Sequence, residues 1–130
     1  MARWKTIQPD SLVGEVVEHV DIGNNETLLT FASGRRVRID HDQDCCESVW
    51  LLDSSGDVAK IVGKPLIEVT SEESSGDNVD IGKEFKDDSS TLTTIRFACA
   101  DEVVILRWFG TSNGYYSESV DFREMVTDAT

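Results

Sequence analysis

Two runs near the C-terminal end constrain this chain most. Residues 91–98, TLTTIRFA, and residues 103–109, VVILRWF, are dense in β-branched, aromatic and aliphatic side chains, and only Cys99-Ala100-Asp101-Glu102 separates them. Such side chains suit a pleated, half-buried surface, and a four-residue connection permits antiparallel pairing but no parallel crossover. A second hairpin is predicted where residues 27–31 and 36–40 flank Ser33-Gly34, because glycine supplies the positive φ of a tight turn. In the second of these runs Val37 and Ile39 alternate with Arg36, Arg38 and Asp40, which predicts one solvated face.

Residues 16–22 read as a further strand closed by Gly23-Asn24-Asn25, and residues 48–52 as another, broken by the polar residues 53–57. Residues 66–69 return to strand, and residues 115–122 carry Tyr116, Val120 and Phe122 on one face. Asp10 or Ser11 caps a short helical turn, and residues 57–62 predict one helical segment stopped by Gly63 with Pro65 beyond it. A chain of 130 residues accommodates a single core. The expected fold class is therefore mainly β (α+β), one compact domain of seven or eight mostly antiparallel strands and one or two short helices. Residues 70–90, with seven acids, are expected to form an acidic loop, and residues 123–130 a flexible tail.

Charge narrows the function. Asp and Glu number 25 against 12 Lys and Arg, a formal net charge of −13. Direct nucleic-acid binding is excluded on that balance, since phosphate contacts need clustered cations. The acidity serves solubility or imitates a nucleic acid. No apolar run approaches the roughly 18 residues of a membrane span, and the N-terminus lacks a signal-like apolar stretch, so a cytoplasmic protein is expected. The cysteines, Cys45, Cys46 and Cys99, are odd in number and two are adjacent, so reduced thiols are expected.

Two segments concentrate chemistry. The first is HDQDCCES, residues 41–48, preceded by Asp40. Asp40, Asp42 and Asp44 imitate the start of a calcium loop, but Cys45 stands at its glycine position and Leu51 at its closing glutamate. Zinc on His41, Cys45 and Cys46 needs a turn, because neighbouring side chains on a strand face opposite ways and His41 and Cys45 would lie about 13 Å apart on an extended chain. Thiol catalysis needs a lowered thiol pKa, which the surrounding acids oppose. The remaining reading is a strand entrance with one cysteine packed as a small hydrophobe and the acids meeting backbone groups or water. If the stretch is extended, His41, Gln43, Cys45 and Glu47 share one face and Asp42, Asp44 and Cys46 the other.

The second segment is RWFGTSNGYYSESV, residues 107–120. Arg107 beside Trp108, Tyr115 and Tyr116, with Asn113 in the turn, offers stacking and hydrogen bonds to a planar anion. The alternative is a hairpin with a Ser-Asn-Gly turn and aromatics packed across strands.

Together HDQDCCESV at residues 41–49 and RWFGTSNGYYSESVDF at residues 107–122, with Gly56-Asp57 and Ile61-Val62-Gly63-Lys64-Pro65 between them, resemble a family of small bacteriophage and prophage proteins of uncharacterised function. The resemblance runs from about Leu12 to Phe122 and brings no assigned reaction, cofactor or catalytic residue. It implies a protein that acts on the host rather than in metabolism. The leading expectation is a non-enzymatic accessory protein that sequesters a host factor in counter-defence, a small anionic signalling nucleotide, in the cytoplasm of the infected bacterium. His41, Asp42, Gln43, Asp44, Arg107, Trp108, Asn113, Tyr115 and Tyr116 are its expected ligand-binding residues, with no metal and no cofactor. Net charge opposes anion capture, so Arg107 with Arg36, Arg38 or Arg96 would have to supply local positive potential. Two other readings stand beside it. One is an acidic inhibitor that covers the nucleic-acid-binding surface of a host defence enzyme through Glu72, Glu73, Asp77, Asp80, Glu84, Asp87 and Asp88. The other is a metal- or thiol-dependent enzyme centred on His41, Cys45 and Cys46. Exposed edge strands would also suit a homo-oligomer.

Overall fold

Period-two patterning assigns inner and outer faces, and those faces set the architecture. In the computed structural model, which describes residues 2–127, nine strands are found among the described residues, in two antiparallel sheets. The first places β1 (Ala2–Ile7), β9 (Asp121–Thr127), β4 (Arg36–Asp40), β3 (Glu26–Phe31) and β2 (Val17–Ile22) side by side in that order. The second runs β5 (Ser48–Ser55), β8 (Val103–Ser112), β7 (Ser89–Ala98), β6 (Glu68–Ser75). Leu29, Phe31, Val37, Ile39 and Phe122 of the first sheet meet Val69, Ile95, Phe97, Leu106 and Trp108 of the second in one core. The Phe97 and Phe122 rings cross between the sheets with centroids 6.0 Å apart. The mainly β, single-domain expectation holds. Each such side chain contributes about 1.5–3 kcal/mol on burial, so the inter-sheet layer dominates stability.

Both predicted hairpins form. β3 pairs with β4 around Gly34 at φ +95°, and β7 pairs with β8 over ten registered positions. One α-helical turn is found among the described residues, α1 (Val58–Ile61); it is capped by the Asp57 carboxylate, which accepts from Ala59 N at 3.0 Å, and Gly63 at φ +85° follows it. The opening helical turn is a 3-10 turn, Pro9–Leu12, that buries Leu12. No helix among the described residues is long and apolar enough to cross a membrane.

Several expectations change. β1 precedes the first element read from the sequence, and it pairs with β9 from Ala2–Thr127 to Ile7–Phe122. Residues 123–127 are accordingly not a tail but the body of β9, held between β1 and β4; residues 128–130 lie outside the described residues. Their charges hid the strand, yet those charges pair across the sheet. Arg35 Nη2 meets Glu124 at 2.7 Å, and Arg123 Nη2 donates to Asp40 Oδ1 at 2.5 Å. Asp40, expected on a solvated face, is thereby buried between Arg123 and Arg38, and Arg38 lies 4.5 Å over the Trp4 ring. The acidic loop is shorter than expected, since β6 continues through Ser75 paired to Thr91. An edge strand buries little, so its polar sequence reads as loop. Likewise β5 runs through Ser55 and β8 through Ser112, whereas residues 113–120 are turn and irregular chain rather than strand.

Gly56 ends β5 at φ +91° with β8 against it, so a Cβ there would sit 2.2 Å from Val103 O. Gly34 has the same handedness, φ +95°, with open space around it. Gly34→Ala is expected to cost about 1–2 kcal/mol in urea unfolding, the left-handed term alone. Gly56→Ala should cost a further ~1–3 kcal/mol for the clash, and equal costs would contradict this packing.

Candidate functional site

β4 delivers the chain at Asp40 into the 41–47 segment, and β5 receives it at Ser48. Counting back from Val49 and Leu51, which pack on the core, strand alternation turns Glu47 inward as well. Its side chain is 0% exposed. A carboxylate so placed must find donors, and the segment wraps around it to supply them. Cys45 N donates to Oε1 at 2.9 Å, Asp44 N to Oε2 at 2.9 Å and Gln43 Nε2 to Oε1 at 3.1 Å. His41 Nε2 lies 2.6 Å from Oε2, while His41 Nδ1 lies 2.7 Å from the Ser119 carbonyl. Both ring nitrogens are thus engaged, one with the Glu47 carboxylate and one with a backbone carbonyl. Burial pushes the Glu47 carboxyl up, but the Asp44 amide, His41 and the Glu47 and Cys45 amides outweigh it and lower it to about 2.

The partner segment repeats the device. Glu118, 8% exposed, accepts from Ser112 Oγ at 2.5 Å and from Thr91 Oγ1 at 2.9 Å. Its backbone lies against Gly110, where a Cβ would come within 2.8 Å of Glu118 Cβ. Two inward glutamates thus fasten two irregular segments to one end of the sandwich, and the His41 to Ser119 bond joins them.

The joined segments form an open cleft of about 350 Å³ lined by His41, Asp42, Gln43, Asp44, Glu47, Ser117, Ser119 and Asp121. Four of the expected ligand residues, 41 to 44, therefore share one surface. The other five do not line it. Arg107 and Trp108 are neighbours on β8 and face opposite ways. Trp108 is 1% exposed in the core, and Arg107 stands on the outer face, where Nε donates to Asp53 Oδ1 at 2.8 Å and Nη2 also reaches that carboxylate. The guanidinium holds the Asp53 carboxyl below its usual range. Asn113 Oδ1 accepts from Tyr115 N at 3.0 Å in the turn, Tyr115 is 88% exposed and Tyr116 is half-buried. No guanidinium and aromatic stack for a planar anion is assembled from these residues.

Chemically the cleft is anionic, with Asp42, Asp44 and Asp121 at its rim and both His41 nitrogens engaged. Cys45 and Cys46 are exposed and joined to each other in a disulfide, which corrects the expectation of reduced thiols there; Cys99 is free and buried. Adjacent side chains diverge only on an extended chain, and the turn around Glu47 removes that condition. For the same reason the two-faced division of residues 41–47 does not apply. Sequence reasoning passed over Glu47 and Glu118 as site residues. The available signal was parity: Glu47, Val49, Leu51 and Glu118, Val120, Phe122 each place an acid in phase with inward apolar residues.

The sign of the acid response follows from the lowered Glu47 pKa. The stability Glu47 contributes is complete above the ordinary value of 4.5 and is lost as pH falls toward about 2. Urea midpoints measured across that window should fall more steeply for the wild type than for Glu47→Gln, with the variant less stable at neutral pH. Parallel pH profiles would contradict the buried, ionised Glu47.

No curated protein and no solved structure matches this chain. The model of a domain family of unknown function, DUF7448, matches residues 10–122, from the 3-10 turn to the start of β9, and so takes in both segments of the cleft. The chain belongs to the DUF7448 family.

Proposed function

We propose that this protein is a non-enzymatic binding protein whose acidic face covers a basic surface of a protein partner. One observation carries the reading. Glu72, Glu73, Asp77, Asp80, Glu84, Asp87 and Asp88 are all exposed, and among the described residues none of them is in an ion pair. Meanwhile six of the twelve lysines and arginines, Arg35, Arg38, Lys64, Arg96, Arg107 and Arg123, are already held by carboxylates elsewhere. Free negative charge is thus gathered on the edge strand β6 and the 76–88 connection. A surface of one sign steers a partner of the other and sets the on-rate.

The resemblance to phage-type accessory proteins makes the partner class a host defence protein, and a basic face on such a protein is one that contacts nucleic acid. On this reading the protein acts by occupying that face in the infected cell. A small anionic nucleotide, the first expectation from the sequence, finds no support in the arrangement, because Arg107 is paired with Asp53 and the 41–44 cleft is itself anionic.

Affinity capture from nuclease-treated host lysate is expected to retain a basic protein that added DNA displaces. Glu72→Gln, Glu73→Gln, Asp77→Asn and Asp80→Asn combined should weaken that retention about tenfold at low ionic strength, each exposed charge contributing up to ~1 kcal/mol. Retention indifferent to the four changes would overturn the reading. A thermal shift with cyclic or linear nucleotides would restore the nucleotide expectation.

A further inference from the structure

The 76–88 connection is fastened at both ends to the outer face of the second sheet. Gly76 N donates to Ser90 O at 2.9 Å, and a Cβ at this glycine would lie 2.8 Å from the Phe109 ring. At the far end Asp87 N donates to Thr111 Oγ1 at 2.6 Å, and Lys86 Nζ reaches back to Asp77 O at 2.7 Å. Between these anchors Ile81 and Phe85 form one wall of a groove whose other wall is Ser48 and Trp50 of β5. The groove is shallow and open, about 600 Å³, and none of its four lining residues is charged. Trp50 packs beside the buried Phe109 ring, its cross-strand partner, centroids 5.2 Å apart, while Phe85 is 57% exposed.

A single exposed aromatic residue is ordinary on a protein surface. Here two aromatic rings border one groove within the most acidic part of the chain. Asp80, Glu84, Asp87 and Asp88, all exposed, flank Ile81 and Phe85 along the connection. Aromatic walls beside a connection that carries these four exposed acids and two lysines match one side chain better than others. A guanidinium is planar and weakly hydrated, lies flat on an aromatic face and turns its N–H edge to carboxylates, whereas an ammonium stays in water. We infer that this groove takes an arginine side chain presented by the basic surface of the partner. The inference rests on the acidic-face reading above and adds the residue that the face selects.

Labelled Arg-Gly and Lys-Gly repeat peptides of equal length, titrated against the full chain by fluorescence anisotropy, separate the two ideas. The arginine peptide is expected to bind about fivefold tighter than the lysine peptide. Phe85→Ala, at an exposed position, should erase that preference with the lysine affinity and the melting temperature unchanged. Glu84→Gln with Asp87→Asn and Asp88→Asn should weaken both peptides alike. Equal binding of the two peptides, still dependent on the acids, overturns the arginine groove and leaves the acidic face standing. A Phe85-dependent preference that ignores the acids supports the groove and overturns the acidic face. Binding of neither peptide overturns both. A dimer in light scattering that Phe85→Ala dissociates assigns the groove to a second copy and overturns the inference.

Discussion

The buried carboxylate of Glu47 is the interaction on which one end of this sandwich depends. An ionised group without solvent exposure is tolerated only when donors surround it, and the 41–47 segment has the shape it has because it brings four of them. His41 then carries the constraint outward to Ser119, so the connection from β4 to β5 and the approach to β9 are set by one carboxylate. Glu118 does the same work from the other segment against Ser112 and Thr91. The histidine, glutamine and glutamate that make the sequence look catalytic are engaged with one another.

That engagement moves the functional question to what remains unpaired. Arg38 and Arg123 stand opposite each other in the β4–β9 register, an arrangement that like charges would oppose, and both turn to Asp40. Arg35 is divided between Glu15 and Glu124. These three arginines are therefore committed to holding the first sheet and its β9 insertion together. Negative charge is left over at the β6 edge and on the connection that follows it. An edge strand presents unpaired backbone groups, and acids on it discourage self-pairing while favouring a partner of opposite charge.

The parts of the fold visible in the sequence are those where burial falls on one face. Val37 and Ile39 alternate with charged residues, and the residues around Ile95 and Leu106 form continuous apolar runs, so both hairpins could be read directly. Gly63 and Asp57 marked the ends of α1 by the conformations they favour. β1, the 70–75 part of β6 and β9 were hidden because their stability comes from pairing with distant strands and from cross-strand ion pairs, not from a local apolar pattern. The site was half legible. Residues 41–44 do share a surface with the 117–121 segment, but adjacency misled at Arg107 and Trp108, where strand alternation sends neighbours to opposite sides of the sheet. Glu47 and Glu118 were legible only through their phase with inward residues, a signal that an acid's polarity conceals.

We propose a division of labour, in which the 41–47 and 117–121 segments build one end of the fold and the β6 edge with residues 76–88 meets the partner. Backbone amide shifts in a nuclear magnetic resonance titration with a basic peptide test it directly. Perturbations are expected along β6, residues 76–88 and Trp50, with the amides of Asp44 and Cys45 unmoved. Perturbations centred on residues 41–44 and 117–121 would contradict it and return the cleft to the role of binding site.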